Sequence, residues 1–268
     1  AEEKVVVVGD LTKDGIKLKM SDREIFNYWK LNSEHFLISL LPGSRPEEIR
    51  YMTPFFLKVA ELIKEEFPLS QFLLILSPFV REEDLTMGSE EGSAKLFSGV
   101  KKVKLKKKNE QRKLTTDSGL EVLLVKEKRY EAIKISHLII TIPGTNTLES
   151  TYLETPMIVT IPLNKPQAIP LDGLAGLVGG TPLLGPLIKK GIVKWYDRHL
   201  KFTAIPNIRA EREIVPEIRG IIEPDDIAQE AIELLKNPAR LAKIKEGLRK
   251  IANTEGAADK VADIILEL

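Results

Sequence analysis

Short apolar runs, each followed by an amphipathic or polar stretch, dominate the chain. They occur at VVVVGD (5–10), HFLISLL (35–41), QFLLILS (71–77), LEVLLV (120–125), LIIT (138–141) and PMIVTIP (156–162). Continuous apolar runs of this length, without strict alternation, are typical of strands that are buried on both faces of a parallel sheet. We therefore expect each run to form a buried strand.

The stretches between the runs predict helices. The first repeats its large apolar residues at helical spacing, at Ile49, Met52, Phe56, Val59 and Ile63. Pro54 lies within this helix and is expected to kink it. Residues 129–136 predict a second helix, and three more follow from Asp225. This alternation predicts an α/β fold, a Rossmann-like parallel sheet with helices on both faces, whose ligands bind beyond the carboxyl ends of strands.

The segment LLPGSRPEEI (40–49) joins a predicted strand to a predicted helix. Gly43 permits a tight turn, and Ser44 has the spacing of a capping box with Glu47. A helix N-terminus offers unpaired N–H donors and a positive dipole end, and Arg45 adds a planar cation, so the junction suits a phosphate. A well-capped helix with a surface arginine explains the same residues.

The segment TIPGTNTLES (141–150) repeats this arrangement. Gly144 makes the turn, and Thr145 and Thr147 present hydroxyl groups at the helix start. Glu149 either complements the helix dipole or accepts two hydrogen bonds from a sugar diol. Both interpretations of Glu149 stay open on the sequence.

A third polar segment, PNIRAERE (206–213), contains Asn207 and Arg212. An asparagine after proline is commonly only a turn residue. The chain has neither a Walker A sequence nor G-x-G-x-x-G, so neither a P-loop ATPase nor a dinucleotide enzyme is indicated. The three histidines lack metal-ligand spacing, and no metal site is predicted. His35 and His137, at strand starts, are interpreted as structural.

Composition indicates an ordinary soluble globular protein of 268 residues, with 43% hydrophobic and 29% charged residues and a net charge of +1. There is no cysteine, which suits a reducing compartment. The chain has no apolar run long enough to span a bilayer, and its first residues do not resemble a signal peptide. A cytoplasmic protein is therefore expected.

Two segments stand apart from the α/β pattern. Residues 101–113, within a charge-dense insertion at 81–120, contain eight basic residues. They suit an anionic membrane surface; nucleic acid is disfavoured because aromatic residues for base stacking are missing, and a solvated hairpin or disordered loop is the alternative. Residues 170–187 form an apolar loop that suits a membrane surface, an acyl-chain groove or a contact with a further domain.

The three polar segments, in this order and spacing, resemble the C-terminal half of lipid-A-disaccharide synthase and its relatives, inverting glycosyltransferases of the two-domain GT-B fold. VGDLTKD (8–14) also resembles the Val-Gly-His-Pro-x-x-Asp segment of that family, with Asp10 and Leu11 in place of His and Pro. Pro143 stands where relatives usually have serine. The resemblance covers most of the chain from Val5, apart from the basic segment and the apolar loop.

The resemblance implies a binding site for a UDP-hexosamine-type donor, with no cofactor. It places Gly43, Ser44 and Arg45 at the diphosphate, Gly144, Thr145, Asn146 and Thr147 at the phosphate or sugar, Glu149 at the ribose hydroxyls, and Asn207 and Arg212 along the donor pocket. Helix N-termini and arginine would then neutralise the leaving diphosphate without a metal.

The resemblance also implies a domain division. Residues 1–34 are expected to be a linker or the end of a further N-terminal domain, and residues 35–268 the nucleotide-sugar-binding domain. In the family the other domain carries most of the acceptor site and the catalytic base, so no catalytic residue is nominated in this chain.

The implied function is inverting transfer from a UDP-sugar to a lipid-linked or membrane-associated acceptor, by a protein that is cytoplasmic or peripheral on the cytoplasmic membrane face. A homodimer is left open. The alternatives are a sugar-nucleotide epimerase or hydrolase of the GT-B fold, and a non-catalytic nucleotide- or membrane-binding module.

Overall fold

The computed structural model describes residues 6, 8–78, 80–81, 85, 98–108, 111–164, 201–252 and 257–266. The strands are β1 (Leu37–Leu41), β2 (Gln71–Ile75), β3 (Val103–Lys108), β4 (Gln111–Thr116), β5 (Glu121–Val125), β6 (Leu138–Thr141), β7 (Met157–Pro162) and β8 (Glu217–Gly220). The helices are α1 (Leu11–Gly15), α2 (Asp22–Trp29), α3 (Pro46–Glu66), α4 (Arg129–Ile135), α5 (Thr145–Tyr152), α6 (Ile205–Ala210), α7 (Pro224–Leu235), α8 (Pro238–Ile251) and α9 (Ala257–Leu266).

All of these strands join one sheet in the order β3-β4-β5-β2-β1-β6-β7-β8. From β5 to β8 every neighbouring pair is parallel, whereas β3, β4 and β5 pair antiparallel. The central strands are fully buried, which is why their sequences read as continuous apolar runs. The predicted α/β class is confirmed.

Helices cover both faces of the sheet. The chain passes from β1 to β2 in one direction across the sheet and from β6 to β7 in the other. Because parallel crossovers are right-handed, α3 and α5 lie on opposite faces. Helix α7 packs beside α3, and α8 packs against α5 and α6. The core therefore lies in two layers, one on each side of the sheet.

Most of the predicted strands are confirmed: the one at 138–141 is unchanged, and the others are shortened at one end by one or two residues. The run at 5–10 is an exception: Val6 is 61% exposed, and residues 8–10 lie outside any strand. A β-branched run becomes a strand only where a neighbour pairs with its backbone. In the described sheet the edges are β3 and β8, and the described residues of this run, 6 and 8–10, pair with neither.

Helix α3 continues unbroken through Pro54, and the expected kink there stays a prediction. The Pro54 carbonyl accepts a hydrogen bond from the N–H of Val100 at 3.0 Å. The helices predicted after Asp225 are confirmed as α7, α8 and α9. No helix within the described ranges is both long and apolar enough to cross a membrane. The apolar loop at 170–187 lies outside the described residues.

Within the charge-dense insertion the structure describes an antiparallel hairpin of β3 and β4 at one edge of the sheet. Strand β4 pairs with β5, so the hairpin extends the parallel sheet by two strands. Val103 and Leu114 are buried, whereas Lys104, Lys106 and Lys107 are exposed. The described residues of the basic segment are therefore part of the fold, with Val103 turned to the core.

Candidate functional site

The two glycine junctions leave the sheet side by side. Leu41, the last residue of β1, pairs in register with Thr141, the last residue of β6, on adjacent parallel strands. Neighbouring strands lie about 4.8 Å apart, so the loops that follow them emerge next to each other. This is also where the direction of the crossovers reverses, the position at which open α/β sheets bind ligands.

Gly43 brings the two junctions into contact. It is buried and has a φ of +115°, a conformation that only glycine adopts without strain. A Cβ atom at this position would lie 2.7 Å from Cβ of Glu48 and 2.9 Å from Cδ1 of Ile142. The backbone at Gly43 therefore packs directly against the loop that leads to Gly144.

The start of α3 differs from the predicted capping box. The helix begins at Pro46, so the third helical residue is Glu48 rather than Glu47. The Glu48 carboxylate accepts hydrogen bonds from the N–H groups of Ser44 at 2.9 Å and Arg45 at 3.1 Å. The prediction that paired Ser44 with Glu47 is wrong, because proline sets the first helical position one residue later. An anion at this turn would share or replace Glu48 as acceptor.

Arg45 lies at the rim of this junction. Its side chain is 46% exposed, and Nη1 is 3.6 Å from Oε1 of Glu48. A surface pair of this length is weak, because water screens it and the side chains stay mobile. Glu48 therefore holds the Arg45 guanidinium only weakly, and the side chain is exposed to solvent beside the junction.

The start of α5 has no side-chain cap. Gly144 has a φ of +146° with open space around it, and no side chain caps the helix there. Thr145 is exposed, whereas Thr147 is buried and its hydroxyl donates to the carbonyl of Gly144 at 2.8 Å. The exposed tip of α5, at Gly144 and Thr145, therefore offers N–H donors to an anion, while Thr147 holds the turn.

Glu149 lies one turn into α5 and is bound by Arg129, the first residue of α4. Nη1 of Arg129 donates to Oε1 at 3.0 Å, and Nη2 donates to Oε2 at 2.7 Å. Nη2 also lies 3.3 Å from Oδ1 of Asn146. The Tyr130 hydroxyl donates to Oε1 of Glu149 at 3.3 Å. Burial raises the pKa of Tyr130, and the Glu149 carboxylate raises it further.

Arg129 is a residue that reasoning from sequence missed. It follows β5 in the run KEKRY (126–130), which has no glycine and no helix cap of the usual type. The available signal was its position at the carboxyl end of a predicted parallel strand, the same edge as both glycine junctions. Only the fold shows that its side chain reaches α5.

Asn207 is fully buried in α6 and holds the chain that leads into β8. Nδ2 donates to the carbonyl of Val215 and to Oε1 of Glu217, both at 2.8 Å. Oδ1 accepts from the N–H groups of Ile214 at 2.7 Å and Val215 at 2.9 Å. These bonds use every donor and acceptor of the amide. The structure thus gives Asn207 a structural role, while Arg212 is exposed beyond the end of α6.

Asp10, at the position where the resemblance implies histidine, ties the N-terminal segment to the C-terminal half of the fold. It caps α1 through the N–H of Thr12 and accepts from Nη2 of Arg209 at 2.6 Å. Arg209 also donates to the Tyr152 hydroxyl at 2.8 Å. Partial burial opposes ionisation of Asp10, but hydrogen bonds from Arg209 and Thr12 outweigh it and lower the pKa to about 2.

His137 and a surface depression lie away from the glycine junctions. His137 accepts a hydrogen bond from the N–H of Leu37 at 3.1 Å, and burial lowers its pKa, which supports its structural interpretation. Within the described ranges no group of His, Asp and Glu is arranged to hold a metal ion. A depression of about 530 Å³ lies between the second half of α3 and residues 118–121, at the opposite edge of the sheet from the glycine junctions.

The fold belongs to the GT-B class, of which this chain forms one Rossmann-like half. It is similar to the crystal structure of UDP-GlcNAc 2-epimerase from Neisseria meningitidis bound to UDP-GlcNAc, with a TM-score of 0.50 and 14% identity over 95% of this chain and 51% of that chain. At this identity the likeness shows the fold alone.

The sequence places the chain more narrowly. A model of the lipid-A-disaccharide synthetase family matches residues 3–99 and 89–169, and the chain belongs to this family. It is 26% identical over 268 residues to lipid-A-disaccharide synthase of Geobacter sulfurreducens, covering 98% of this chain and 57% of the relative. It is 27% identical over 228 residues to that of Histophilus somni, covering 85% and 46%. The chain thus spans about half the length of the curated relatives it matches.

Proposed function

We propose that this chain is the nucleotide-sugar-binding half of a hexosyltransferase of the lipid-A-disaccharide synthase type. The observation that carries the proposal is the pairing of Leu41 with Thr141. In this family member it sets the two glycine junctions side by side, at the edge where open α/β sheets generally bind ligands. The acceptor half and the catalytic base belong, in this proposal, to sequence outside residues 1–268.

The donor in this proposal is a UDP-hexosamine-type nucleotide sugar, transferred by direct displacement with inversion. Its diphosphate lies across the uncapped N-terminus of α5 and the backbone at Gly43 and Ser44, with Arg45 at the rim. These groups would stabilise the negative charge that develops on the leaving diphosphate, which is electrostatic catalysis by preorganised donors. As the diphosphate binds, the N–H groups of Ser44 and Arg45 would leave the Glu48 carboxylate and donate to the diphosphate.

The sugar and nucleoside parts draw on the remaining residues of the sequence prediction. Glu149 is proposed to accept the ribose hydroxyls, and Thr145 and Asn146 to contact the phosphate or sugar. Arg212 stays a candidate for the pocket wall. Thr147 and Asn207 support the frame, because their side chains are already bonded within the protein.

Titration of the chain with UDP, followed by calorimetry, tests the donor site. We expect saturable binding, weakened about tenfold by Arg45→Ala and by Glu149→Gln, since each removes a charged hydrogen-bonding group. Arg249→Ala is the matched control: this arginine bonds Glu154 beyond the other end of α5 and is 64% exposed. Absence of binding at millimolar UDP, or equal affinity in all variants, would exclude the site.

The acceptor in this proposal is lipid-linked, and the protein works at the cytoplasmic face of a membrane. The hairpin of β3 and β4 supplies the contact with anionic lipid. Lys106 pairs in register with Lys113, and Lys107 with Arg112. Directly opposed like charges repel. Lys113 bonds Glu121 at 2.9 Å, but Lys106 and Lys107 are exposed. An anionic surface would relieve this repulsion.

The basic end of the hairpin lies at the same edge of the sheet as the proposed donor site. Strand β3 runs parallel to β1, because two antiparallel steps separate it from β5, so its basic end points to the same edge as Gly43. Four strand spacings, roughly 19 Å, separate β3 from β1. A membrane that meets the hairpin end would therefore lie beside the proposed donor site.

Vesicle flotation tests this contact. The chain should float with vesicles of phosphatidylcholine and phosphatidylglycerol, and not with phosphatidylcholine alone, in a salt-dependent manner. The double variant Lys106→Gln/Lys107→Gln should lose more than about tenfold in affinity, at about 1 kcal/mol per lysine. Lys243→Gln/Lys245→Gln, on exposed positions of α8, is the charge-matched control. Equal loss in both variants, or preference for RNA over vesicles, would contradict the proposal.

A further inference from the structure

Arg129 occupies the carboxylate that the proposed donor site needs. An ionised carboxylate has about four acceptor positions. Arg129 fills two positions on Glu149 with its bidentate pair, and the Tyr130 hydroxyl fills a third. A ribose diol brings two hydroxyl donors. Only one position is left for two hydroxyls, so both can bind Glu149 only if Arg129 or Tyr130 gives up a bond.

The burial of Arg129 and Glu149 also indicates that Arg129 must move before a ligand can reach the carboxylate. The side chain of Glu149 is 9% exposed and that of Arg129 is 20% exposed, so the guanidinium covers the carboxylate. Nε of Arg129 is buried and has no hydrogen-bond partner within the described residues. The arginine is thus incompletely satisfied in this position, whereas a phosphate could accept from Nε and a terminal nitrogen together.

The position of the guanidinium also suits a second partner. Nη2 lies 3.3 Å from Oδ1 of Asn146, in the first turn of α5. This is the turn whose N–H groups no side chain caps and on which the diphosphate is proposed to lie. The guanidinium therefore already lies beside that turn while it is bonded to Glu149.

We infer that Arg129 is an exchangeable partner of Glu149: when the donor binds, the ribose hydroxyls replace the guanidinium on Glu149, and the guanidinium moves to the diphosphate. The inference rests on the proposed function, since it uses the same site. Arg129 then positions the diphosphate and keeps Glu149 neutralised when the site is empty.

The exchange makes the two halves of the ligand depend on each other. A nucleoside alone would displace Arg129 from Glu149 and leave the guanidinium without a new partner. Removing one member of a partly buried charge pair without replacement is costly. A nucleoside diphosphate satisfies both groups at once, so the diphosphate should strengthen nucleoside binding more when Arg129 is present than when it is replaced.

The test compares UDP and uridine binding to the whole chain by calorimetry or NMR titration. Arg129→Gln should weaken UDP binding about tenfold, because a charged contact to phosphate is lost, and should leave uridine binding unchanged or tighter. Glu149→Gln should weaken both ligands, because it removes the negative charge and replaces one of the two oxygens that accept the ribose hydroxyls with an NH₂ donor. Arg129→Lys, which keeps the charge but loses the bidentate geometry, should give an intermediate UDP affinity.

The outcomes separate the inference from the proposed function. If the wild-type chain binds neither ligand, the donor site itself is absent. If the wild-type chain binds UDP and Arg129→Gln binds it equally well, or loses UDP and uridine by the same factor, the exchange is excluded. Arg249→Gln controls for the loss of an arginine–glutamate pair elsewhere on the surface. Arg129→Lys serves the same comparison where Arg129→Gln fails to fold.

Discussion

The side chain of Thr141 donates a hydrogen bond to the carbonyl of Leu41 at 3.1 Å, and both atoms are buried. These residues end two adjacent parallel strands, β6 and β1. The bond therefore fastens together the two strand ends from which the glycine junctions leave. The relative position of Gly43 and Gly144, which the proposed donor site requires, is set by the sheet rather than by the loops.

Gly43→Ala should destabilise the protein by more than about 2 kcal/mol. The added Cβ requires a strained backbone conformation at φ +115° and meets Glu48 and Ile142 at under 3 Å. Gly119→Ala is the control: its φ is +88°, but nothing lies within 4 Å of the new atom. Backbone strain alone should cost it about 1 kcal/mol. Chemical denaturation measures both, and equal losses would show that Gly43 does not pack as described.

Asn207→Ala should lower the free energy of unfolding by about 3 kcal/mol or more, because it leaves several buried backbone groups and Glu217 without their partner. The folded variant should bind UDP as the wild type does. Asn237→Ala, which removes the exposed cap of α8, should cost only about 1 kcal/mol. A small stability loss together with strongly weakened UDP binding would instead show that Asn207 contacts the donor.

Asp10 should make stability depend on pH at the acid end. Its pKa is lowered from 3.8 to about 2 in the folded protein, chiefly by Arg209 and Thr12 acting against burial. Stability from this group is therefore complete above about pH 4 and is lost as the pH falls through about 2. Asp10→Asn should cost about 1 kcal/mol at neutral pH after screening by solvent. Denaturation curves should converge towards pH 2, and a constant difference would contradict the assignment.

Lys106→Glu should separate stability from membrane binding. It replaces the repulsion between Lys106 and Lys113 with an attraction, so it should raise stability by up to about 1 kcal/mol. The same change should weaken flotation with anionic vesicles. Lys243→Glu on α8 should alter neither strongly. If Lys106→Glu stabilises the chain and leaves flotation unchanged, the hairpin is only a solvated edge.

Most of the sheet could be predicted from sequence, because strands buried on both faces need continuous apolar runs. LIIT (138–141) is predicted to the residue, and PMIVTIP (156–162) to within one. The described residues of the run at 5–10 form no strand, because strand propensity is local, whereas a strand also needs a neighbour. The start of α3 was displaced by one residue, because Pro46 rather than Ser44 decides where the helix begins.

The sequence by itself determined the α/β class, the glycine turns at the strand ends and the family, since these depend on local pattern and on motif order. The tertiary structure decided which residues those turns meet. It brought Arg129 to Glu149, 20 positions further along the chain, and it bonded the Asn207 amide to the backbone of Ile214 and Val215. The physical reason is that hydrogen-bonding capacity is local to a residue, while the partner that uses it is chosen by the fold.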